Sequence, residues 1–347
     1  MKTPQQENFH MPAEWNKHEA TWLSWPKDPD TFSETIIQSV ENIYSIMISE
    51  LSQGEIVNVL AENSEMKEKI EKLIKEKKAK MKNVKVHLIK SIDVWARDYG
   101  PTFLLNKKTN QLGCTKWIFN AWGNKYKELL MDNQTGERIA QISKAQTFKP
   151  EIVMEGGSIE VNGTGTVLVT EQCQLNKNRN PKLKKQEIEN YLKEYLHVSN
   201  IVWLKEGIEG DDTDGHIDDI ARFVNENTIV YCMEENRKDK NFEILKENQK
   251  ILEKAVNEKG QKFKLIPLPM PKAMWIPGRR LAASYANFYI ANASVLVPIY
   301  DKSKDSEVLK LFKKLFPKKK IVGINCTDLV YGYGSIHCVT QQQPAIK

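Results

Sequence analysis

Four short segments of this 347-residue chain follow one pattern, and a fifth begins it. In each, a small or acidic residue opens an alternating stretch, a turn follows, and a continuous apolar strand completes the pair. Glu155-Gly156-Gly157-Ser158 leads through 158–162 to 166–170, Asp214-Gly215-His216 through 217–224 to 228–233, and Ala283-Ser284 through 284–290 to 294–299. Arg97-Asp98-Tyr99-Gly100-Pro101 opens a looser copy, and Gly334-Ser335-Ile336-His337-Cys338 looks like the start of another. The lead positions Asp98, Glu155, His216, Ser284 and Cys338 are 54 to 68 residues apart, room for one hairpin, one helix and one further strand. Units of that size cannot close a core alone, so they must stack or close into a ring.

The intervening sequence supplies the helices. Ile36, Ile37, Val40, Ile43, Tyr44, Met47, Ile48 and Leu51 recur at helical spacing and predict an amphipathic helix over 35–53, stopped by Gly54. Helices are also predicted over 64–82, 182–196, 241–259 and 304–315, and further strands over 55–60, 84–88, 152–154, 201–204, 263–268 and 320–324. This is an α/β chain. No Pro/Gly/Ser-rich linker interrupts it, so residues 1–347 are expected to form a single domain.

Composition narrows the setting. No apolar stretch approaches the roughly 18 residues of a membrane helix, and Met1-Lys2-Thr3-Pro4-Gln5 lacks the apolar core of an export signal. Five irregularly spaced cysteines with no CxxC pair argue for reduced thiols. The expectation is a soluble cytoplasmic protein without a membrane partner. Lys+Arg outnumber Asp+Glu by 51 to 45, but the excess is almost wholly Lys. Runs such as Lys75–Lys80 and Lys318–Lys320 read as solvated faces, and Arg, which base readout and phosphate forks favour, is scarce, so no nucleic-acid partner is expected.

The chemistry gathers at the lead positions. Asp211, Asp212, Asp214, Asp218 and Asp219 surround His216. On a strand, His216 and Asp218 would point the same way. Cys338 follows His337, which on a strand would face away from it, so a distant histidine, His216, is the candidate partner. Each piece also has a plainer reading. Asp98 before a turn can be a cap, the 211–219 segment can be an acidic surface or metal loop, a cysteine can be a small buried hydrophobe, and Trp22, Trp25 and Pro26 read as core. Cys114, Cys173, Cys232 and Cys326 read as packing residues. Taken together, a thiol, an imidazole and three carboxylates at equivalent positions of a repeat would suit a planar cation with an electrophilic carbon. A guanidinium fits. Carboxylates take its N–H edges in pairs, a thiolate attacks the carbon, and the imidazole protonates departing ammonia and then activates water.

At the level of motifs the chain resembles the agmatine deiminases, and more broadly the peptidylarginine-deiminase-like guanidino-group-modifying enzymes. The resemblance runs from Met11-Pro12-Ala13-Glu14-Trp15 through His18–Pro26, Trp95–Pro101, Glu155–Ser158, Asn176–Pro181, Asp211–Asp218 and Arg280–Tyr289 to Gly334–Pro344. It implies a fivefold pseudosymmetric α/β propeller of ββαβ-type units, the pentein fold. It also implies hydrolysis of a guanidine to a ureido product and ammonia without metal or cofactor, and a homo-oligomer. By the same resemblance Cys338 matches the nucleophile that forms an amidino-thioether and His216 the general acid/base. Asp98 and Asp218 match the guanidinium-binding carboxylates, and Glu155 the acid that orients the histidine. Asp212 falls where an acid holds the far end of the substrate, and Trp95 would line the channel.

Two residues depart from the pattern. Asp219 stands where an Asn is common, and Arg222 is expected on the His216 face, where it could bind a substrate carboxylate that agmatine lacks. Free or peptidyl arginine is therefore an alternative substrate, and a non-catalytic, partner-binding propeller an alternative role. The acids at 211 and 212 favour agmatine, a small dication.

Overall fold

Every lead residue is followed within five positions by the first strand of a sheet, and these five sheets share one strand order. After Asp98, Thr102–Asn106 pairs antiparallel with Gln111–Thr115, which runs parallel to Gln146–Phe148. After Glu155 the order is Glu160–Val161, Thr166–Thr170, Asn200–Leu204. After His216 it is Ala221–Asn225, Thr228–Met233, Lys264–Pro269, and after Ser284 it is Tyr289–Ile290, Ser294–Ile299, Lys320–Asn325. After Cys338, Gln341–Pro344 pairs antiparallel with His18–Ser24, which continues in parallel to Ile56–Ala61 and Val84–Leu88. The C-terminal strand thus completes a sheet begun at the N-terminus. The computed structural model describes residues 2–346, so Met1 and Lys347, the ends of the expected 1–347 domain, lie outside it.

A parallel neighbour needs a crossover, and helices provide it. Asp132–Ser143, Lys185–Leu196, Asn241–Lys254, Lys302–Leu315 and Ile37–Leu51 each bridge a central strand to its parallel partner, as Ser64–Glu76 does to the outermost strand of the last sheet. Helix starts are specified locally. Asn63 accepts the Met66 N–H and Asp301 the Ser303 N–H, satisfying otherwise orphaned donors. The central strands are covered on both faces, which is why Val167-Leu168-Val169 and Val295-Leu296-Val297 are continuously apolar and buried. Trp22 and Trp25 are core, as expected. The architecture is mixed α/β, and no helix of the described residues is long and apolar enough to cross a membrane.

Several expected elements are shorter. The strands predicted over 158–162, 217–224 and 284–290 survive as Glu160–Val161, Ala221–Asn225 and Tyr289–Ile290, and 152–154 keeps only an isolated Val153–Ile118 bridge. Their leading halves leave the ladder, because backbone there turns to serve side chains: Gly156–Ser158 and Ile217–Asp219 are single 3₁₀ turns. The 64–82 helix ends at Glu76, where Lys78 turns left-handed (φ +62°), and the 241–259 helix ends at Lys254. Asp132–Ser143 was not anticipated. Its sequence, DNQTGERIAQIS, buries chiefly Ile139 and Ala140 among its apolar residues, too weak a stripe to register as helical.

Candidate active site

A cavity of about 200 Å³ opens between the units. Cys338 and Asp98 lie in its wall, together with Trp95, Trp122 and Gly334. Asp28, Asp30, Asp93, Glu128 and Asp212 also line it, and among the described residues no Lys or Arg does. Trp95 is held as a wall. Its indole N–H donates to Asp93 at 2.7 Å, and its ring meets Trp122 edge-to-face. Gly334 is required there, since a Cβ would lie 2.2 Å from the Trp95 ring.

Four lead segments meet beside this cavity. A Cβ placed on Gly157 would lie 2.6 Å from His216 Nδ1, 2.9 Å from Asp98 Oδ1 and 3.0 Å from Asp218 Oδ2. The missing methyl of Gly157 therefore marks the point where imidazole and both carboxylates converge. Asp98 is oriented by the Gly157 N–H at 2.9 Å and the Trp122 indole N–H at 3.0 Å. The Cys338 thiol donates to Asp218 Oδ2 at 3.7 Å and accepts from the Asn287 amide at 3.1 Å. Asn287 also donates to Asp219 and receives the His337 N–H at 2.8 Å, so the fourth unit contributes Asn287. Ser284, its lead residue, instead donates to the Asp219 carbonyl. Arg97 N–H donates to the Cys338 carbonyl at 3.2 Å, stitching the first and last lead segments together.

Buried side-chain atoms normally have partners. Here Glu155 Oε2, both nitrogens of His216 and Asp218 Oδ1 have none. Two acids with spare acceptors, beside Asp98 and the imidazole, form a receptor for a group rich in N–H donors.

The electrostatics are lopsided. Burial first, then Asp218, Asp219 and Asp98, push the Cys338 thiol well above its ordinary pKa. Burial, reinforced by Asp218 and Glu155 against the opposing pull of His216, raises Asp98 to about 6. Burial works against a charged His216, yet Asp98, Cys173 and Glu155 outweigh it and hold the imidazolium well above its usual range. Burial likewise opposes ionised Asp218, and His337, His216 and Arg222 overcome it. Asp219 is driven strongly upward by burial, Asp218 and Asp211.

Several expectations change. His216 and Asp218 do not share a strand face. His216 precedes the Ile217–Asp219 turn, which still brings both to Gly157. Glu155 does not hydrogen-bond His216, its Oε2 being 3.9 Å from Nε2 while Arg179 holds Oε1 at 2.8 Å. His337 does not face away from the site, because 336–339 is a turn. Its ring spans Asp218 at 2.7 Å and Glu14 at 2.8 Å. Arg222 is not in the pocket. It is wholly buried, paired with Glu14 and Glu160 at 2.9 Å each, and donates to the Phe288 carbonyl. Asp212 reaches the cavity, but its carboxylate is held by the Tyr126 hydroxyl and, at 2.8 Å, by Arg279. Cys173 is buried in the core, and its sulfur lies within 4.8 Å of side-chain atoms of both Glu155 and His216.

Glu14, Arg179 and Asn287 lay inside the quoted motifs, though their supporting roles were not assigned. Trp122, Tyr126 and Asp93 had no local signal, because only the tertiary fold brings them to the cavity. Two donor sets are compact enough for a metal ion, Glu155–Cys173–His216 and Asp218–Asp219–Cys338. Both share residues with the cluster at Gly157 and Cys338.

Known proteins now place the chain. The profile of the Porphyromonas-type peptidyl-arginine deiminases matches residues 10–344. The chain belongs to that family. Within it, a Legionella pneumophila relative is 38% identical over 342 residues, covering 98% of this chain and 96% of its own. The agmatine deiminase of Medicago truncatula is 34% identical, with 99% of this chain and 98% of that one covered. The agmatine deiminase structure of Enterococcus faecalis superposes with a TM-score of 0.91 at 31% identity over 99% of this chain and 98% of that one. Family membership makes the chain a hydrolase of guanidino groups.

Proposed function

We infer that the protein is an agmatine deiminase, which hydrolyses agmatine to N-carbamoylputrescine and ammonia on the way to putrescine. The observation that carries this reading is the cavity lining: six carboxylates, no Lys or Arg, and the thiol of Cys338. Agmatine is a dication with a guanidinium at one end, an ammonium at the other and no carboxylate. Arginine would bring a carboxylate into an acidic cavity with no cation in its wall, and Arg222, buried in ion pairs, cannot supply one.

The chemistry follows from the geometry. The guanidinium donates to the unpartnered oxygens of Asp218 and Glu155 and to Asp98 at the same point. Its charge cancels the field that keeps the Cys338 thiol protonated, and Oδ2 of Asp218 is the acceptor nearest the departing proton. The thiolate attacks the guanidinium carbon. His216, cationic in the empty site, gives its proton to the departing amino group, and the C–N bond breaks to release ammonia. An amidino-thioether remains on Cys338. His216, now neutral, removes a proton from water. The hydroxide adds to the same carbon, the C–S bond breaks to return the thiolate, the added hydroxyl loses its proton to water to leave the neutral ureido product, and Asp218 returns its proton to the thiolate.

The same reading arranges the five like sheets as a fivefold pseudosymmetric propeller within one catalytic domain. The pairing of the C-terminal strand with His18–Ser24 supports it. The enzyme acts in the cytoplasm as a homo-oligomer and needs no cofactor. A parallel assay of agmatine, arginine and a blocked arginine peptide, measuring ammonia and ureido product, tests the substrate. Agmatine is expected to have the highest kcat/KM. A preference for arginine or the peptide would overturn the reading.

A further inference from the structure

Asp212 has two carboxylate oxygens and two partners. Oδ2 takes the hydroxyl of Tyr126, and Oδ1 faces Nη2 of Arg279 at 2.8 Å. The Arg279 guanidinium also sits over the Tyr333 ring, 3.8 Å from its centroid, and donates to the Gly210 carbonyl. Tyr126, Asp212 and Tyr333 all line the cavity, whereas Arg279 stands behind them. Arg279 belongs to the hairpin Trp275–Ile276/Arg279–Arg280, which pairs with no other strand among the described residues. Its stacking partner Tyr333 adopts a left-handed backbone (φ +74°), which turns the chain into Gly334 and the Cys338 segment. One carboxylate at the cavity wall is therefore shared between a fixed neutral donor and a fixed cation.

We propose that Arg279 is a specificity-determining residue that competes with the distal ammonium of the substrate for Oδ1 of Asp212. The proposal rests on agmatine as substrate and on Asp212 as the group that meets its far end. A cation 2.8 Å from a carboxylate cancels most of the field an incoming ammonium would feel. The pair is part-exposed, with side chains 30% and 22% accessible, so the competition is moderate. Loss of Arg279 does not release Asp212, because Tyr126 still holds Oδ2. Its removal therefore frees an acceptor and deletes a repelling charge. The gain falls only on substrates that carry a distal cation, so Arg279 sets how strongly the enzyme prefers a dication over a monocationic guanidine.

The test compares agmatine with butylguanidine, which is agmatine without its amine. In Arg279→Gln the ratio of KM for agmatine to KM for butylguanidine is expected to fall about two- to fivefold, the range of a part-exposed ion pair. Asp212→Asn is expected to raise that ratio. A merely structural role for Arg279 would move both KM values together, and an unchanged or higher ratio in Arg279→Gln overturns the proposal. An unchanged ratio in Asp212→Asn overturns it too, by removing Asp212 from the far end. Failure of the unaltered enzyme to turn over agmatine is a different result, and it would overturn the functional reading beneath the proposal.

Discussion

Nδ1 of His337 lies 2.7 Å from Oδ2 of Asp218, the same oxygen that accepts from the Cys338 thiol. The residue beside the nucleophile therefore fixes the carboxylate that faces the substrate. Its other nitrogen reaches Glu14, which ties that pair to Arg222 and Arg97. His337→Ala should leave Asp218 unheld. A hydrogen bond to a charged group is worth about 1.5–3 kcal/mol, so kcat/KM should fall about ten- to a hundredfold. Steady-state kinetics on the folded variant check this, and unchanged kcat/KM would contradict it.

The resting thiol should be unreactive. Burial and the charges of Asp218, Asp219 and Asp98 raise Cys338, while the charge of His216 is committed to Asp98 and Glu155. A raised thiol pKa means that the thiolate fraction grows only as pH climbs past the ordinary cysteine range. Alkylation by neutral iodoacetamide should therefore be slow at pH 7 and still rising above pH 9. A cationic haloacetamidine of similar size carries its own compensating charge and should react much faster at pH 7. Equal rates for the two reagents, or an iodoacetamide plateau near neutrality, would show a preformed thiolate.

Gly157→Ala probes the convergence point directly. Its methyl would sit within 3.0 Å of polar atoms of His216, Asp98 and Asp218. Displacements near 1 Å in a reacting site cost about a hundredfold in rate, so kcat/KM should drop by about that factor or more. Overpacking of this size costs about 1–3 kcal/mol, so the fold should survive. Thermal melting and kinetics together check it. A folded, fully active variant would place the substrate elsewhere.

Arg222 is a stability residue. Arg222→Met would strand Glu14 and Glu160 without their shared cation. Breaking a buried pair costs about 3–5 kcal/mol, so denaturant unfolding should show a loss of that order. Whatever activity remains should keep the same preference for agmatine over arginine. A stable variant that accepts arginine would return Arg222 to the pocket.

The repeat was legible because its hairpins announce themselves twice, by alternation and then by a continuous apolar strand such as Thr166–Thr170. The lead residues were legible because chemistry-bearing types recur at the same place in each unit. What they do with their neighbours was not. Strand alternation put His216 and Asp218 on one face and His337 on the other. In fact the backbone around Gly157, His216 and Cys338 leaves the ladder, and turns have no period to extrapolate. Arg222 was expected on the His216 face, but His216 lies off the strand, and sequence could not show Glu14, over 200 positions away, waiting to neutralise Arg222. Asp212 was legible as an acid near the site and not as the partner of Arg279.

The central claim is that Cys338 attacks the guanidinium carbon of agmatine. Rapid acid quench during turnover, followed by peptide mass analysis, tests it most directly. The peptide containing Cys338 should gain the mass of agmatine less ammonia. The adduct should be absent from Cys338→Ala, which should also release no ammonia. An unmodified Cys338 peptide together with turnover by Cys338→Ala would contradict the account.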